Sequence, residues 1–415
     1  MIPKLMTTLI VLIMIGLCFS PLNFGAFYIL FRPLVQPYAT EHYTLFSGIP
    51  LTGIFAVVLI VFSVFSCIIR RGYTISAPNI IPLYAFLFFS ATSFLNTIDY
   101  GVSIAHVLKI ATGVSLYILL YSAIQTTADA NKVLYSLVIT SIIPMLFGYF
   151  QFFTHTGIGV DGTRINSLFG VCNSYGMFLC VSLFAALMLI FQEDNRFKRI
   201  FLMCTIASIV VSSILARNRG SWIALSASLF FSYFGYVKEI RARWFILAGA
   251  LMTLFFSGMV IDRFMELGET TSWGGSKNTF AGRVEFWKVI ISLIPDHPLI
   301  GFGIGTANLV TDKFHKIRNV PHNDYVRLAL EVGLPGAILY ITFLLRELFN
   351  NIRLIYDKQN WFINYPMLAA VIYWIIMSTV QNAIYNVTIF PMFLTLMAVA
   401  RKWNILTNGE TFPRR

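Results

Sequence analysis

The chain has 415 residues; 57% are hydrophobic, 12% are charged, the mean hydropathy is +0.75 and the formal net charge is +12. An average soluble domain carries about 25% charged residues, so this chain has too little charge to coat a soluble globule. That excludes an ordinary cytosolic enzyme, a disordered chain and a disulfide scaffold, and leaves an all-α polytopic membrane protein.

A helical crossing needs about 20 apolar residues, and the apolar runs predict twelve of them in chain order. The first is 5–22. The start Met1-Ile-Pro-Lys4 and the run after it also fit a signal peptide, but no convincing small-x-small cleavage site follows. Next come 48–69, 79–96, 104–124, 133–153, 168–191, 200–216, 220–236 and 244–261, then 332–348, 362–382 and a short last run at 387–400. The five cysteines, Cys18, Cys67, Cys172, Cys180 and Cys204, lie in or beside these runs without a CxxC pair, and read as small buried hydrophobes. The chain is expected to be a single membrane domain over 1–415, since no soluble extramembrane domain, internal repeat or low-complexity stretch interrupts it.

Short basic connections fall at Arg70-Arg71, at Arg196, Lys198 and Arg199, at Lys238, Arg241 and Arg243, at Arg353 and Lys358, and in the tail with Arg401, Lys402, Arg414 and Arg415. Twelve alternating spans put all of them on one side together with both termini, and the bias of Lys and Arg assigns that side as cytoplasm. The inner segments hold 17 basic and 7 acidic residues, the outer ones 12 and 10. The excess charge is therefore mostly an orientation signal. No nucleic-acid motif accompanies it.

The outer segments are 23–47, 97–103, 154–167, the turn Arg217-Asn218-Arg219 and a large loop, 262–322. Within the fourth span His106 and Lys109 lie one turn apart, and ionisable groups inside a span are candidates for function. Arg164 sits where an outer loop enters the sixth span. Arg217 and Arg219 flank a hairpin turn. They either snorkel to headgroups or face a cavity, where the planar fork of arginine suits phosphate.

In the large loop, 283–294 carries apolar residues at 284, 287, 290, 291 and 294. This is helical spacing, with Arg283 in the first turn and Pro295 at the end. The glycines of His297-Pro-Leu-Ile-Gly-Phe-Gly-Ile-Gly305 read as a tight turn with close backbone packing, because no GK[ST] follows. His322 is expected at the N-terminus of the next span. Backbone N–H groups there welcome an anion and lower an imidazole pKa, leaving it neutral and able to act as a base.

Arg164, Arg217, Arg219, Arg283 and His322 thus share the outer half. Several cations and one base suit an anionic, lipid-linked substrate, and a diphosphate fits as both ligand and leaving group. No DxD or HExxH pattern supports a metal; arginines stabilise a departing pyrophosphate in its place.

These motifs, in order Arg164–Asn173 (R-x-x-S-L-F-G-x-x-N), Arg219–Trp222 (R-G-S-W), Gly282–Trp287 (G-R-x-x-x-W), His297–Gly303 and His322–Gly336 (H-N-x-Y, then E-x-G-L-P-G), resemble the O-antigen ligase/polymerase superfamily. The resemblance covers about 164–336. It implies a bacterial inner-membrane glycosyltransferase with a GT-C-like fold and its active site facing the periplasm. It also implies transfer of a polysaccharide from undecaprenyl diphosphate to the lipid A–core of lipopolysaccharide, without cofactor or metal and with inversion. By resemblance Arg219, Arg283 and His322 match the family's essential arginine, loop arginine and loop-end histidine. Arg217 and Arg164 match less closely, as supporting diphosphate ligands. The same features leave open a polymerase that uses a second lipid-linked glycan as acceptor. Polymerases of this type tend to have two sizeable periplasmic loops, and here only 262–322 is large. A related protein-glycosylating ligase also stays open, as does a lipid-linked sugar transporter, although transporters tend to show repeats and broken helices.

Overall fold

A computed structural model describes residues 20–39, 44–46, 49–158, 162, 164–233, 280–317, 319–356 and 359–408. The expected spans at 5–22 and 244–261 lie almost wholly or wholly outside these residues, as does the first part of the large loop. Among the described residues there are fifteen α-helices. One short antiparallel ladder, β1 (Thr44–Phe46) with β2 (Ile49–Pro50), is the exception to an all-helical fold.

The helices are α1 (Pro21–Phe31), α2 (Leu51–Ile69), α3 (Ile80–Thr92), α4 (Tyr100–Ala123), α5 (Thr127–Ile139), α6 (Ile142–Thr154), α7 (Cys172–Ile190), α8 (Arg196–Leu215), α9 (Arg219–Tyr233), α10 (Phe280–Leu293), α11 (Ala307–His315), α12 (Asp324–Glu331), α13 (Gly333–Leu354), α14 (Trp361–Val380) and α15 (Ile389–Asn408). Six stretches are long and apolar enough to cross a membrane: α4, the α5–α6 pair, α7, α8, α14 and α15. The protein is a multi-pass helical membrane protein. Large apolar side chains such as Ile68, Phe88, Leu95, Phe153 and Phe197 stand more than half exposed on the outside of the bundle. That surface belongs in hydrocarbon.

Local chemistry sets the helix ends. Asp99 caps α4 by accepting from Val102 N at 3.0 Å, and Thr126 with Asp129 forms a capping box at α5. The predicted run 133–153 is two helices, because Pro144 cannot donate to the carbonyl of Thr140. Thr140 instead sends its hydroxyl to Ile29 O at 3.0 Å. That bond ties down α1, a short helix with Phe24, Tyr28 and Ile29 buried, where the sequence suggests an outer segment.

The last run, expected to be short at 387–400, is the 20-residue α15, because Arg401 finds Glu347 inside the bundle and the Asn404 amide nitrogen donates to Asn364 Oδ1. Arg401 reaches buried Glu347 at 2.8 Å, and Asn79 Nδ2 donates to the same carboxylate at 2.8 Å. Hydropathy alone counts such residues as solvent-facing.

α7 lies at the centre, buried on nearly every face. α14 packs on α15 through Trp374 stacked on Phe393, with ring centres 4.4 Å apart. α4 packs on α15 at Gly113, where a Cβ would come within 2.9 Å of the Phe390 ring. Between lipid-facing helices such close packing, not water exclusion, supplies the stability. Between α14 and α15 runs the polar segment 381–388, and it holds the site.

Candidate active site

α10 lies over one end of the bundle. Its buried face is Phe286, Ile290 and Leu293, packed on Phe302, Ala307, Val310 and Leu330. The sequence pattern predicts a face of 284, 287, 290, 291 and 294; only position 290 is shared with the buried set, and Ile291 is 52% exposed. The rotation follows from two polar anchors one turn apart. Trp287 Nε1 donates to Pro321 O at 2.6 Å, and Arg283 Nη1 donates to Val380 O at 3.0 Å. Val380 ends α14, where carbonyls lack intrahelical partners and the helix dipole is negative. One guanidinium arm is thus pinned. Its Nε is buried with no hydrogen-bond partner.

The two anchors bring Arg283 beside His322. Burial first, then the neighbouring Arg283 and Arg327 guanidinium groups, lower the His322 pKa to about 4, while a hydrogen bond with Gln381 opposes the shift. The expected direction holds, but the cause is burial and cations rather than a helix terminus. His322 also does not open the span. It precedes the short helix α12, which Asn323 caps by accepting from Val326 N at 3.1 Å. His322 has φ +48°, an uncommon conformation for a residue with a Cβ, and its Nδ1 is buried without a partner. Beside it, Asp324 accepts from Ala383 N at 3.0 Å and Ile384 N at 3.1 Å, fixing the start of the polar segment 381–388. Burial raises the Asp324 pKa to about 7.

The third part is the turn between α8 and α9. Arg217 is left-handed at φ +48°. Asn218, 3% exposed, donates to Asn173 O at 3.3 Å and to Ser221 Oγ at 2.7 Å, locking the turn to α7. Trp222 Nε1 donates to Ser213 O at 2.9 Å. These bonds explain the R-G-S-W signature: the Ser and Trp hold the turn that presents Arg219. Gly220 places its backbone against Val380, where a Cβ would lie 3.5 Å from Cγ2, so Arg219 adjoins the residue that anchors Arg283. Arg164 closes the row. It pairs with Ile158 across a β-bridge, and its Nε donates to Ala216 O at 3.2 Å.

Electrostatically the row is continuous. Arg164 acts on Arg219, Arg219 on Arg283, and Arg283 on His322. Burial, and then Arg219, lowers the Arg283 pKa. The structure thus brings Arg164, Arg219, Arg283 and His322 together. Arg217 lies in the same turn as Arg219.

Several residues here carry no recognisable sequence motif. Gln381 and the Val380 carbonyl are invisible in motif terms, although a Gln-Asn-x-x-Tyr-Asn-x-Thr run inside an apolar stretch is a signal. A buried triad is a further case. Glu331 accepts from Arg327 Nε at 2.8 Å, Gly305 N at 2.8 Å, Ala307 N at 2.9 Å and Tyr385 Oη at 2.5 Å. The i, i+4 spacing of Arg327 and Glu331 was its signature. This triad holds the glycine strap. Gly301, Gly303 and Gly305 have φ of +66°, +103° and +85°, and a Cβ at each would strike Glu331 backbone, Thr97 or His106 within 2.4 Å. The strap is structural, as its spacing suggests. Among the described residues no three His, Cys, Asp or Glu side chains gather to hold a metal.

Residues 204–341 match the family model described as O-antigen ligase. Over that stretch the chain is similar to the O-antigen ligase family. The match contains Arg217, Arg219, Arg283 and His322, and leaves Arg164 outside it. No match is found among curated proteins.

Proposed function

We propose that this protein is an O-antigen ligase that moves a polysaccharide from undecaprenyl diphosphate to lipid A–core on the periplasmic face of the inner membrane. The observation that carries this reading is the row Arg164–Arg219–Arg283–His322 at one end of a lipid-embedded bundle. Arg164 acts electrostatically on Arg219, and Arg219 on Arg283. Like charges gathered at low dielectric repel, and a diphosphate relieves that repulsion by accepting bidentate bonds.

In the reaction the acceptor hydroxyl oxygen bonds to the anomeric carbon of the donor. The bond from that carbon to the diphosphate oxygen breaks, and the electron pair leaves with the diphosphate toward Arg219 and Arg283, with Arg164 and Arg217 in support. Attack opposite the leaving group inverts the centre. His322, neutral at pH 7, accepts a hydrogen bond from the hydroxyl and takes its proton as the new bond forms. A ring with a pKa of about 4 is a weak base. It therefore orients the hydroxyl before attack, and removes the proton only once the oxygen has become acidic by bonding. Rings of exposed apolar residues suit the polyprenyl and acyl chains.

The test is reconstitution with lipid-linked glycan plus lipid A–core. A single ligated product is expected. Polymerisation of the donor alone would assign the polymerase reaction instead, and movement without bond formation would refute transfer. Arg283→Lys keeps the charge but loses the fork, and is expected to lower transfer about 10²-fold, in line with removal of one preorganised donor. If both Arg219→Lys and Arg283→Lys transfer normally, the bidentate role falls.

A further inference from the structure

A second group of cations lies at the same end of the bundle, on the other side of the 381–388 segment. Arg32 follows α1 directly and is 2% exposed, and among the described residues its Nη1 and Nη2 are buried without hydrogen-bond partners. Its neighbour is the phenol of Tyr28, which acts on it electrostatically and through a side-chain hydrogen bond but carries no formal charge. Lys109 of α4 lies within electrostatic range of Arg32 and of Arg327. Its hydrogen-bond partner among the described residues is His106 Nε2 at 3.4 Å. His106 uses Nδ1 on Val102 O at 2.9 Å, so Nε2 is an acceptor and the imidazole offers no charge to balance. The acid in range of Lys109 is Glu331, and its two oxygens already accept four donors. Among the described residues, the two cations therefore meet with no available counter-charge. A buried guanidinium with two unpaired terminal nitrogens is costly unless an anion closes it.

The segment 381–388 links this group to the first row. Gln381 bonds His322 at one end. Thr388 Oγ1 donates to Gln36 Oε1 at 2.9 Å at the other, four residues beyond Arg32. Tyr385 stands between them, bonded to Glu331 and lying 4.1 Å under the Arg327 guanidinium. Arg327, stacked on Tyr385, acts on both His322 and Lys109, so the two cation groups neighbour one another through it, an arrangement for two anionic ligands held side by side.

We infer that Arg32 and Lys109 form a second anion site, which takes a phosphoryl group of the acceptor lipid while the Arg219–Arg283–His322 side takes the donor diphosphate. This rests on the transfer reaction proposed above. The phosphoryl group belongs either to lipid A–core or to a second polyprenyl-diphosphate glycan, and the experiment separates these.

The full chain is placed in phosphatidylcholine nanodiscs, and binding of each lipid is measured for wild type, Arg32→Gln, Lys109→Met and Arg283→Gln. Arg32→Gln and Lys109→Met are expected to weaken lipid A–core at least tenfold, with the first equivalent of polyprenyl-diphosphate glycan held as in wild type. Loss of a second equivalent of that glycan instead supports the site and assigns it to the other acceptor. Unchanged binding of both lipids overturns the proposal. So does loss of the first glycan equivalent to the same extent as in Arg283→Gln, because the two groups would then be one site. If Arg283→Gln leaves the first equivalent untouched, the donor reading fails while the Arg32 and Lys109 result still stands. Should Arg32→Gln not fold, Lys109→Met decides, with Lys109→Arg restoring binding if charge is the cause.

Discussion

Glu331→Gln is the most demanding test of how the site is built. The carboxylate is fully buried, and it accepts from Arg327 Nε, Gly305 N, Ala307 N and Tyr385 Oη. Four donors saturate two oxygens. Gln keeps the shape, but replaces one oxygen with an NH₂ that faces donors instead of accepting from them. At least one oxygen's bonds are lost, and Arg327 is left buried without its counter-charge. Removing one partner of a buried ion pair typically costs about 3–5 kcal/mol. At about 3 kcal/mol, local opening rises on the order of a hundredfold. The effect should concentrate where the carboxylate holds backbone. Hydrogen exchange at the amides of Gly305 and Ala307 should accelerate on that scale, while α7 exchanges as in wild type. The double variant Glu331→Gln with Arg327→Met removes the orphaned cation and should recover part of the loss. Wild-type exchange at 305 and 307 in Glu331→Gln would refute the reasoning. So would a double variant at least as fast as the single one, because the strap would then owe its place to the glycine contacts alone.

Three further outcomes follow from the geometry. Gly305→Ala introduces a Cβ 2.3 Å from His106 Nδ1 at φ +85°, so a loss of thermal stability of about 2 kcal/mol or more is expected, whereas Gly72→Ala, with φ +86° but open space, should cost less. The His322 pKa is lowered from 6.5 to about 4, so the folded state resists protonation there. Its contribution to stability is present above pH 6.5 and is lost as pH falls from 6.5 toward 4. Transfer that depends on it should be flat from pH 6 to 8, and a wild-type rate that falls with a midpoint near 6.5 would contradict the burial argument. Asp324 behaves oppositely, because its pKa is raised from 3.8 to about 7. The folded state resists its ionisation, so stability drains as pH rises from 4 to 7. Asp324→Asn, which can still accept from Ala383 and Ile384, should gain on wild type over that range in paired melting curves, and a pH-independent difference would refute the assignment.

The sequence by itself determined the membrane class, because charge is too scarce for water and the apolar runs have span length. It also located the arginines, the loop helix and the glycine strap, since each rests on local rules: helical period, proline and glycine conformations, and the position of basic residues. Even there local rules slipped when a distant group intervened. The face of α10 turned because Trp287 and Arg283 found carbonyls of Pro321 and Val380. α15 continued through Arg401 because Glu347 waited inside the bundle. Only the tertiary structure decided that Arg164, Arg219, Arg283 and His322 share one row. It also decided that Arg327, paired with Glu331, acts on both His322 of that row and Lys109. Apart from Arg327 and Glu331, one helical turn apart, most of these partners lie tens to hundreds of residues apart along the chain. A buried polar group is stable only where another segment supplies its missing bond or charge, and no local pattern records which segment that is.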